Sequence, residues 1–152
     1  MSDEKPMNEV LNDVLDETLA QIKEKFRKPL ILSVDDSPVV LRSISTALSK
    51  DYDVFTMSES YLVEKYLREM KPDMIILDYK MPGLNGFDLV PIIRKIPWCE
   101  ETPIIFLTSM GSNDFVSAAA SLGACDFIIK PFHANTLREK VAKHIVHKSK
   151  MD

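Results

Sequence analysis

The stretch ILSVDDSPVV, residues 31–40, places two adjacent aspartates directly after a run of aliphatic residues. The segment Leu30–Val34 is apolar and rich in branched residues, which predicts a strand buried on both faces. Asp35 and Asp36 follow it, and two unit charges about 4 Å apart repel by roughly 4 kcal/mol at an effective dielectric of 20. The pair therefore either caps the helix that begins near Ser37, in open water, or lies beside a compensating charge.

Short aliphatic segments alternate with amphipathic segments from Pro29 onward. Strands are predicted at Leu30–Val34, Asp53–Thr56, Met74–Leu77, Ile104–Leu107 and Phe127–Ile129. Helices are predicted at Pro38–Ser49, from a cap at Ser58 to Met70, at Gly86–Ile96, at Ser112–Leu122 and at Ala134–His147. Regular strand–helix alternation predicts a parallel sheet with helices on both faces and right-handed crossovers.

Four of the predicted strands end in polar residues that can carry chemistry, namely Asp35 with Asp36, then Asp78, Thr108 and Lys130. Each of these residues alone also fits an ordinary role as a turn residue, a cap or a solvated side chain. In doubly wound folds, however, a site forms beyond the carboxyl ends of the strands, where the strand order reverses. The sequence therefore predicts a polar site at that edge of the sheet.

Composition limits the class of protein. The chain has 152 residues, of which 45% are hydrophobic and 28% charged, with a formal net charge of -4, which fits one domain with an extension. The acidic balance, without a basic stripe, argues against nucleic acid as a partner. No apolar run approaches the roughly 20 residues that span a bilayer, and the N-terminus lacks the features of a signal peptide, so we predict no membrane association. Cys99 and Cys125 lack metal-binding spacing and are predicted to be reduced thiols of a cytoplasmic protein.

Four motifs resemble the receiver domain of two-component response regulators. They are VDDSP at 34–38, ILDYKMPGLNGFDLV at 76–90, IIFLTS at 104–109 and FIIKPF at 127–132. They occur in the order that the family has, at strand ends, and cover roughly Pro29 to His147. The resemblance implies an α/β, flavodoxin-like, five-stranded parallel sheet of order 2-1-3-4-5 with helices on both faces. We expect a receiver domain at 29–148, similar to stand-alone chemotaxis regulators, and an N-terminal amphipathic helical extension at 1–28.

The resemblance also implies a function. A histidine kinase or phosphotransfer protein would transfer a phosphoryl group to Asp78, making the chain a phosphorylation-dependent switch of a two-component phosphorelay. The family binds Mg²⁺, whose positive charge would compensate the repulsion between the adjacent aspartates. Asp36 and Asp78 would be direct ligands, Asp35 would act through water, and Lys80 would contribute its backbone carbonyl.

Other residue roles follow from the same resemblance. Thr108 and Lys130 would contact the oxygens of the transferred phosphoryl group, and Thr108 and Phe127 would form the switch. The peptide bond before Pro131 is expected to be cis. The side chains of Lys80 and Met110 are poor at orienting water, which implies a long-lived phosphorylated form. His133, His144 and His147 are predicted to be solvated.

The sequence leaves two alternative functions open. A magnesium-dependent phosphatase that turns over through an aspartyl phosphate would need an acid or base two residues after the nucleophile, where Lys80 stands. An unphosphorylated pseudo-receiver, used only for docking, would not need the intact set of Asp36, Asp78, Thr108 and Lys130. We therefore predict a signalling protein rather than an enzyme, acting on an unidentified downstream protein. The C-terminal HKSKMD leaves no room for a DNA-binding output domain, unless the chain is a fragment.

Residues 1–28 lie outside the resemblance but carry their own pattern. A helix is predicted at Met7–Arg27, because apolar residues recur at three- and four-residue spacing: Met7, Val10, Leu11, Val14, Leu15, Leu19, Ile22 and Phe26. Acidic residues lie early in this helix and basic residues late, as the helix dipole prefers. The apolar stripe would be buried against a second copy of the chain, against its own receiver or a partner, or would belong to a disordered segment. We predict a homodimer through this helix.

Overall fold

The computed structural model describes residues 4–145, apart from the side chains of residues 24–26. Its sheet has five parallel strands in the order β2-β1-β3-β4-β5, formed by β1 (Leu30–Val34), β2 (Asp53–Met57), β3 (Met74–Asp78), β4 (Ile104–Thr108) and β5 (Asp126–Ile129). Central strands β3 and β4 are buried along their whole length, as apolar strands covered on both faces require. The predicted flavodoxin-like fold is confirmed.

The helices of the described residues are α1 (Met7–Phe26), α2 (Pro38–Leu48), α3 (Val63–Leu67), α4 (Gly86–Arg94), α5 (Asn113–Ser121) and α6 (Ala134–His144). Two hydrophobic clusters form the core, one on each face of the sheet. Residues of α3, α4 and α5 belong to one cluster, and residues of α2 and α6 belong to the other. This arrangement leaves the carboxyl ends of the strands clear for polar side chains.

The prediction of one α-helix from a cap at Ser58 to Met70 was wrong. The segment forms a 3-10 turn at Ser60–Leu62 and then the short α3. The Ser60 side chain is buried, and its hydroxyl donates to the carbonyl of Pro82 at 3.1 Å, so the start of this segment is tied to the loop after β3. At the other end, the Trp98 indole N–H donates to the carbonyls of Leu67 and Met70, at 2.7 and 3.1 Å, where the helix stops.

The last helix also ends earlier than predicted. It stops at His144, and Ile145 has extended backbone with ψ 137°. The predicted end at His147 lies outside the described residues.

The chain divides between Lys28 and Pro29 into two units. The N-terminal unit contains α1, a helix of 20 residues that ends one residue before the predicted Arg27, which is extended. Seven large apolar side chains of this helix are exposed by 41–73% of their surface: Met7, Val10, Leu11, Val14, Leu15, Leu19 and Ile22. Within residues 4–145, no helix is long and apolar enough to cross a membrane.

Candidate functional site

The register between β1 and β3 brings the acidic residues together. Val34 pairs with Leu77, so the next residues, Asp35 and Asp78, emerge side by side at the carboxyl edge of the sheet. Each of Asp35, Asp36 and Asp78 offers a carboxylate oxygen, and these three oxygens lie within 4.8 Å of one another. The arrangement concentrates negative charge at one point of the edge.

Lys130 supplies a positive charge to this cluster. Its Nζ lies 2.7 Å from Asp35 Oδ2 and 3.2 Å from Asp78 Oδ1. The backbone N–H of Lys130 donates to the carbonyl of Thr108 at 2.8 Å, which fixes the end of β5 against the end of β4. The lysine is therefore held at the acidic cluster by the sheet itself.

Asp35 and Asp36 have different environments. Asp35 is fully buried, and besides Lys130 it accepts a hydrogen bond from the Ser37 N–H to Oδ1 at 2.9 Å. Asp36 is exposed. Both oxygens of Asp35 thus have protein partners, whereas Asp36 faces solvent at the cluster. The structure resolves the alternatives for the adjacent pair: Asp35 supports the turn into α2 and also lies beside a compensating cation.

The pKa of Asp78 is raised to about 6 by burial and by the charge of Asp35, against the opposing effect of Lys130. Burial alone would lower the pKa of Lys130, but its contacts with Asp35 and Asp78 raise it overall. Three carboxylates next to one ammonium thus leave negative charge uncompensated. Carboxylate oxygens around such an excess are the donor set that fits Mg²⁺.

The other predicted site residues lie around this cluster. Thr108 is buried and its Oγ1 accepts from the Met110 N–H at 3.0 Å. Phe127 is partly buried in β5, and the Lys130–Pro131 peptide bond is cis. Lys80 lies exposed in the loop after β3. Aspartates, threonine and lysine therefore share one edge, as the sequence pattern predicted.

Comparison with known proteins identifies this constellation. The family model of the response regulator receiver domain matches residues 31–142. The chain belongs to the response regulator receiver family. Receiver domains of this family act in two-component signalling, are phosphorylated on aspartate and bind Mg²⁺ at an acidic pocket.

Several individual proteins are similar to this chain. The chain is 28% identical over 142 residues to a probable cyclic di-GMP phosphodiesterase of Vibrio cholerae, with 93% of this chain and 32% of that protein covered. It is 35% identical over 112 residues to the sensory transduction protein BceR of Halalkalibacterium halodurans, with 73% and 47% covered. The chain thus spans less than half the length of these curated relatives. The solved structure of the Vibrio cholerae chemotaxis regulator CheY4 has a TM-score of 0.74 at 28% identity, covering 78% of this chain and 99% of that one.

A groove of about 840 Å³ adjoins the site of the receiver between α2 and the connection from β5 to α6. Apolar side chains form much of its lining, among them Val39, Val40, Ala47, Pro131 and Phe132. Its cations are Arg42, Lys130 and Arg138, so the groove shares Lys130 with the acidic cluster. The groove beside Lys130 therefore combines apolar side chains with three cationic ones.

A polar cluster beside Phe127 escaped the sequence analysis. His144 is not solvated as predicted: its Nε2 lies 3.0 Å from Asp126 Oδ2, and its side chain is 19% exposed. Lys140 Nζ lies 2.9 Å from the other carboxylate oxygen of Asp126. The prediction failed because Asp126 lies 18 residues away on another element, and no local spacing indicates the pairing. His133 is exposed at the start of α6, and His147 lies outside the described residues.

Proposed function

We propose that this receiver is a phosphorylation-dependent signalling switch whose phosphoacceptor is Asp78. The observation that carries the proposal is the position of the Asp78 carboxylate, which ends a buried central strand between Asp35, Asp36 and the ammonium of Lys130. A carboxylate in this position is fixed for in-line attack and faces groups that neutralise phosphoryl oxygens. The proposed role is that of a switch rather than an enzyme.

In the proposed reaction, a carboxylate oxygen of Asp78 forms a bond to phosphorus and gives an aspartyl phosphate. The bond between phosphorus and the histidine nitrogen of the donor breaks, and its electron pair stays on the imidazole, which leaves as the neutral ring after taking up a proton. Lys130 interacts with the phosphoryl oxygens through its ammonium. The Thr108 hydroxyl, released from the Met110 N–H, donates to one of them.

The proposed magnesium ligands are Asp36, Asp78 and the backbone carbonyl of Lys80, with Asp35 acting through water. When bound, Mg²⁺ supplies positive charge that stabilises the transferring oxygens. Asp35 fits the indirect role because Lys130 and the Ser37 N–H already occupy its oxygens. In the proposed switch, the movement of Thr108 is transmitted to Phe127 on the neighbouring strand.

The proposed phosphodonor is a histidine kinase or phosphotransfer protein, and the groove beside Lys130 is proposed to bind a helix of that donor. Its apolar lining fits an amphipathic helix, and Arg42 and Arg138 favour an acidic flank on it. The proposal further assigns residues 29–148 to the receiver domain and 1–28 to an extension, in a cytoplasmic protein with a downstream protein target and without nucleic acid or membrane partners.

The proposed function is tested by incubating the protein with Mg²⁺ and acetyl phosphate and measuring the intact mass. We expect one added phosphoryl group, which Asp78→Asn abolishes and a chelator prevents. Asp51→Asn, which removes an exposed carboxylate just before the start of β2, at the opposite edge of the parallel sheet, serves as the control and keeps the modification. Persistent labelling of Asp78→Asn would overturn the assignment of the phosphoacceptor.

We also propose that α1 joins two copies of the chain. Its exposed apolar stripe needs a partner surface, and its charges favour an antiparallel copy. Glu9, in the first turn of one copy, would then lie near Lys23, in the last turn of the other. The helix is too short for a stable isolated coiled coil, so the dimer is expected to be reversible.

Sedimentation velocity of the full chain and of a chain that begins at Lys28 tests the dimer. Only the full chain is expected to associate at tens of micromolar. Leu15→Glu places a charge on the apolar stripe and should abolish association. Ala20→Glu places the same charge on the opposite face of the helix and should leave association unchanged. Monomers throughout, with and without phosphorylation, would overturn the dimer.

A further inference from the structure

Lys140 on α6 contacts Phe127 on β5 in two ways. Its Nζ donates a hydrogen bond to the Phe127 carbonyl at 2.7 Å and lies over the aromatic ring, 5.2 Å from the ring centroid. The attraction between a cation and a ring face increases when the pair is withdrawn from water. Because the Lys140 side chain is only 31% exposed, the contact is partly protected from solvent.

The position of Lys140 is itself fixed by Asp126. The carboxylate of Asp126 accepts from Lys140 Nζ at 2.9 Å and from the Phe127 N–H at 2.8 Å, both at Oδ1. Its other oxygen lies 3.0 Å from His144 Nε2. One carboxylate therefore ties the ammonium and the backbone of Phe127 together, and a second contact with α6 supports it.

Two cavities that open to solvent have Phe127 in their lining. One cavity, of about 180 Å³, lies towards α5 and is lined by Val116 and Ala119. Another, of about 260 Å³, lies towards α6 and is lined by Thr136 and Lys140. Because Phe127 is only partly buried and borders both of these spaces, packing alone does not restrict its ring to one orientation.

We propose that Lys140 is a positioning residue that holds the ring of Phe127 in its observed orientation and so sets the population of the alternative. This inference rests on the proposed function, in which Phe127 belongs to the switch. A group that stabilises only one of two orientations shifts their equilibrium by its differential interaction. Phosphorylation that reorients the Phe127 side chain must break the contact between its ring and the Lys140 ammonium, and by reciprocity loss of that contact favours phosphorylation.

The test places para-fluorophenylalanine at position 127 and records fluorine NMR spectra of the unphosphorylated protein with Mg²⁺. In Lys140→Met, which keeps the length of the side chain but removes its charge, the population of the alternative orientation should rise about two- to fivefold. Lys140→Arg keeps a cation that can lie over a ring and should restore the original spectrum. Lys143→Met removes an exposed charge from the same helix and should change nothing.

The second measurement is the extent of phosphorylation of the unlabelled variants by acetyl phosphate. Lys140→Met should be phosphorylated to the same extent at an about two- to fivefold lower donor concentration, while Lys143→Met follows the original protein. An unchanged fluorine spectrum in Lys140→Met, or an equal change in Lys143→Met, overturns the inference. A changed spectrum with unchanged phosphorylation overturns the coupling to the switch, and failure of Asp78 to accept phosphate is detected separately by the intact mass.

Discussion

The backbone carbonyl oxygen of Asp78 lies 2.6 Å from the position that a Cβ atom on Gly86 would occupy. The ring of Phe106 and the Cα of Tyr79 lie 2.7 and 3.0 Å from the same point. The Gly86 N–H donates to the Tyr79 carbonyl at 2.7 Å. The loop after the proposed phosphoacceptor therefore closes onto β3 only because residue 86 has no side chain.

We expect Gly86→Ala to lower the free energy of unfolding by about 1–3 kcal/mol, because the methyl group meets the backbone and a packed ring. Urea unfolding followed by Trp98 fluorescence measures the change. Gly111→Ala is the control: its Cβ would meet the Ile129 Cδ1 at 2.6 Å, but that flexible end of a side chain is able to move. Equal stability of Gly86→Ala and the original protein would contradict the prediction.

The sequence predicts those features of the fold and site that local patterns encode. Each strand and its terminal residue, such as Asp78 or Lys130, is visible in a short window, and the parallel order then places these ends on one edge. The break of the helix before α3 was not predictable locally, because Ser60 bonds to Pro82, 22 residues away. The same is true of Lys140, whose partners Asp126 and Phe127 lie on another element.

Asp36→Ala is expected to weaken Mg²⁺ binding more than Asp35→Ala. The physical reason is that Asp36 is exposed at the cluster, whereas the oxygens of Asp35 already interact with Lys130 and the Ser37 N–H. Titration calorimetry with Mg²⁺ on both variants measures the difference. Equal losses of affinity, or a larger loss in Asp35→Ala, would contradict the proposed set of ligands.

The cluster of Asp126, Lys140 and His144 is expected to contribute to stability in a pH-dependent way. Burial alone would raise the pKa of Asp126, but hydrogen bonds from Lys140, the Phe127 N–H and His144 hold it below its ordinary value. The ionised carboxylate thus stabilises the fold above about pH 4, the ordinary pKa of an aspartate, and this contribution is lost as the pH falls through the lower pKa of the folded state.

Asp126→Asn should therefore lower the free energy of unfolding by about 1 kcal/mol at neutral pH, with a smaller loss as the pH falls to about 3. Urea unfolding of the variant and the original protein across this range gives the difference. Asp114→Asn is a control outside the cluster, on α5. A loss in Asp126→Asn that stays constant across the range would show that the charge is not responsible.

Two buried serines predict opposite effects of the same substitution. The Ser33 Oγ is fully buried in β1 and has no hydrogen-bond partner among the described residues, whereas the Ser60 Oγ donates to Pro82. An unpaired buried hydroxyl costs about 1–3 kcal/mol, so Ser33→Ala should raise the free energy of unfolding by about 1 kcal/mol. Ser60→Ala should lower it by a similar amount, because the Pro82 carbonyl loses its donor. Losses of equal size in both variants, measured by urea unfolding, would contradict this account.

Lys80→Asn is expected to shorten the lifetime of the phosphorylated form. Lys80 lies exposed two residues after Asp78, and Met110 is 42% exposed two residues after Thr108. Neither side chain offers an acid or amide that orients a water molecule for attack on phosphorus, and the lysine is long enough to cover the phosphoryl group. An asparagine amide would hold such a water, and one hydrogen bond in the transition state, worth about 1.4 kcal/mol, accelerates hydrolysis about tenfold.

Loss of phosphate from the labelled protein, followed by intact mass after the donor is removed, gives the rate. Lys80→Met removes the charge without adding an amide, so it separates coverage of the phosphoryl group by the lysine from orientation of water by the asparagine. Lys65→Asn makes the same substitution at an exposed position on α3 and should leave the rate unchanged. A slower loss of phosphate in Lys80→Asn than in the original protein would show that Lys80 assists hydrolysis instead of opposing it.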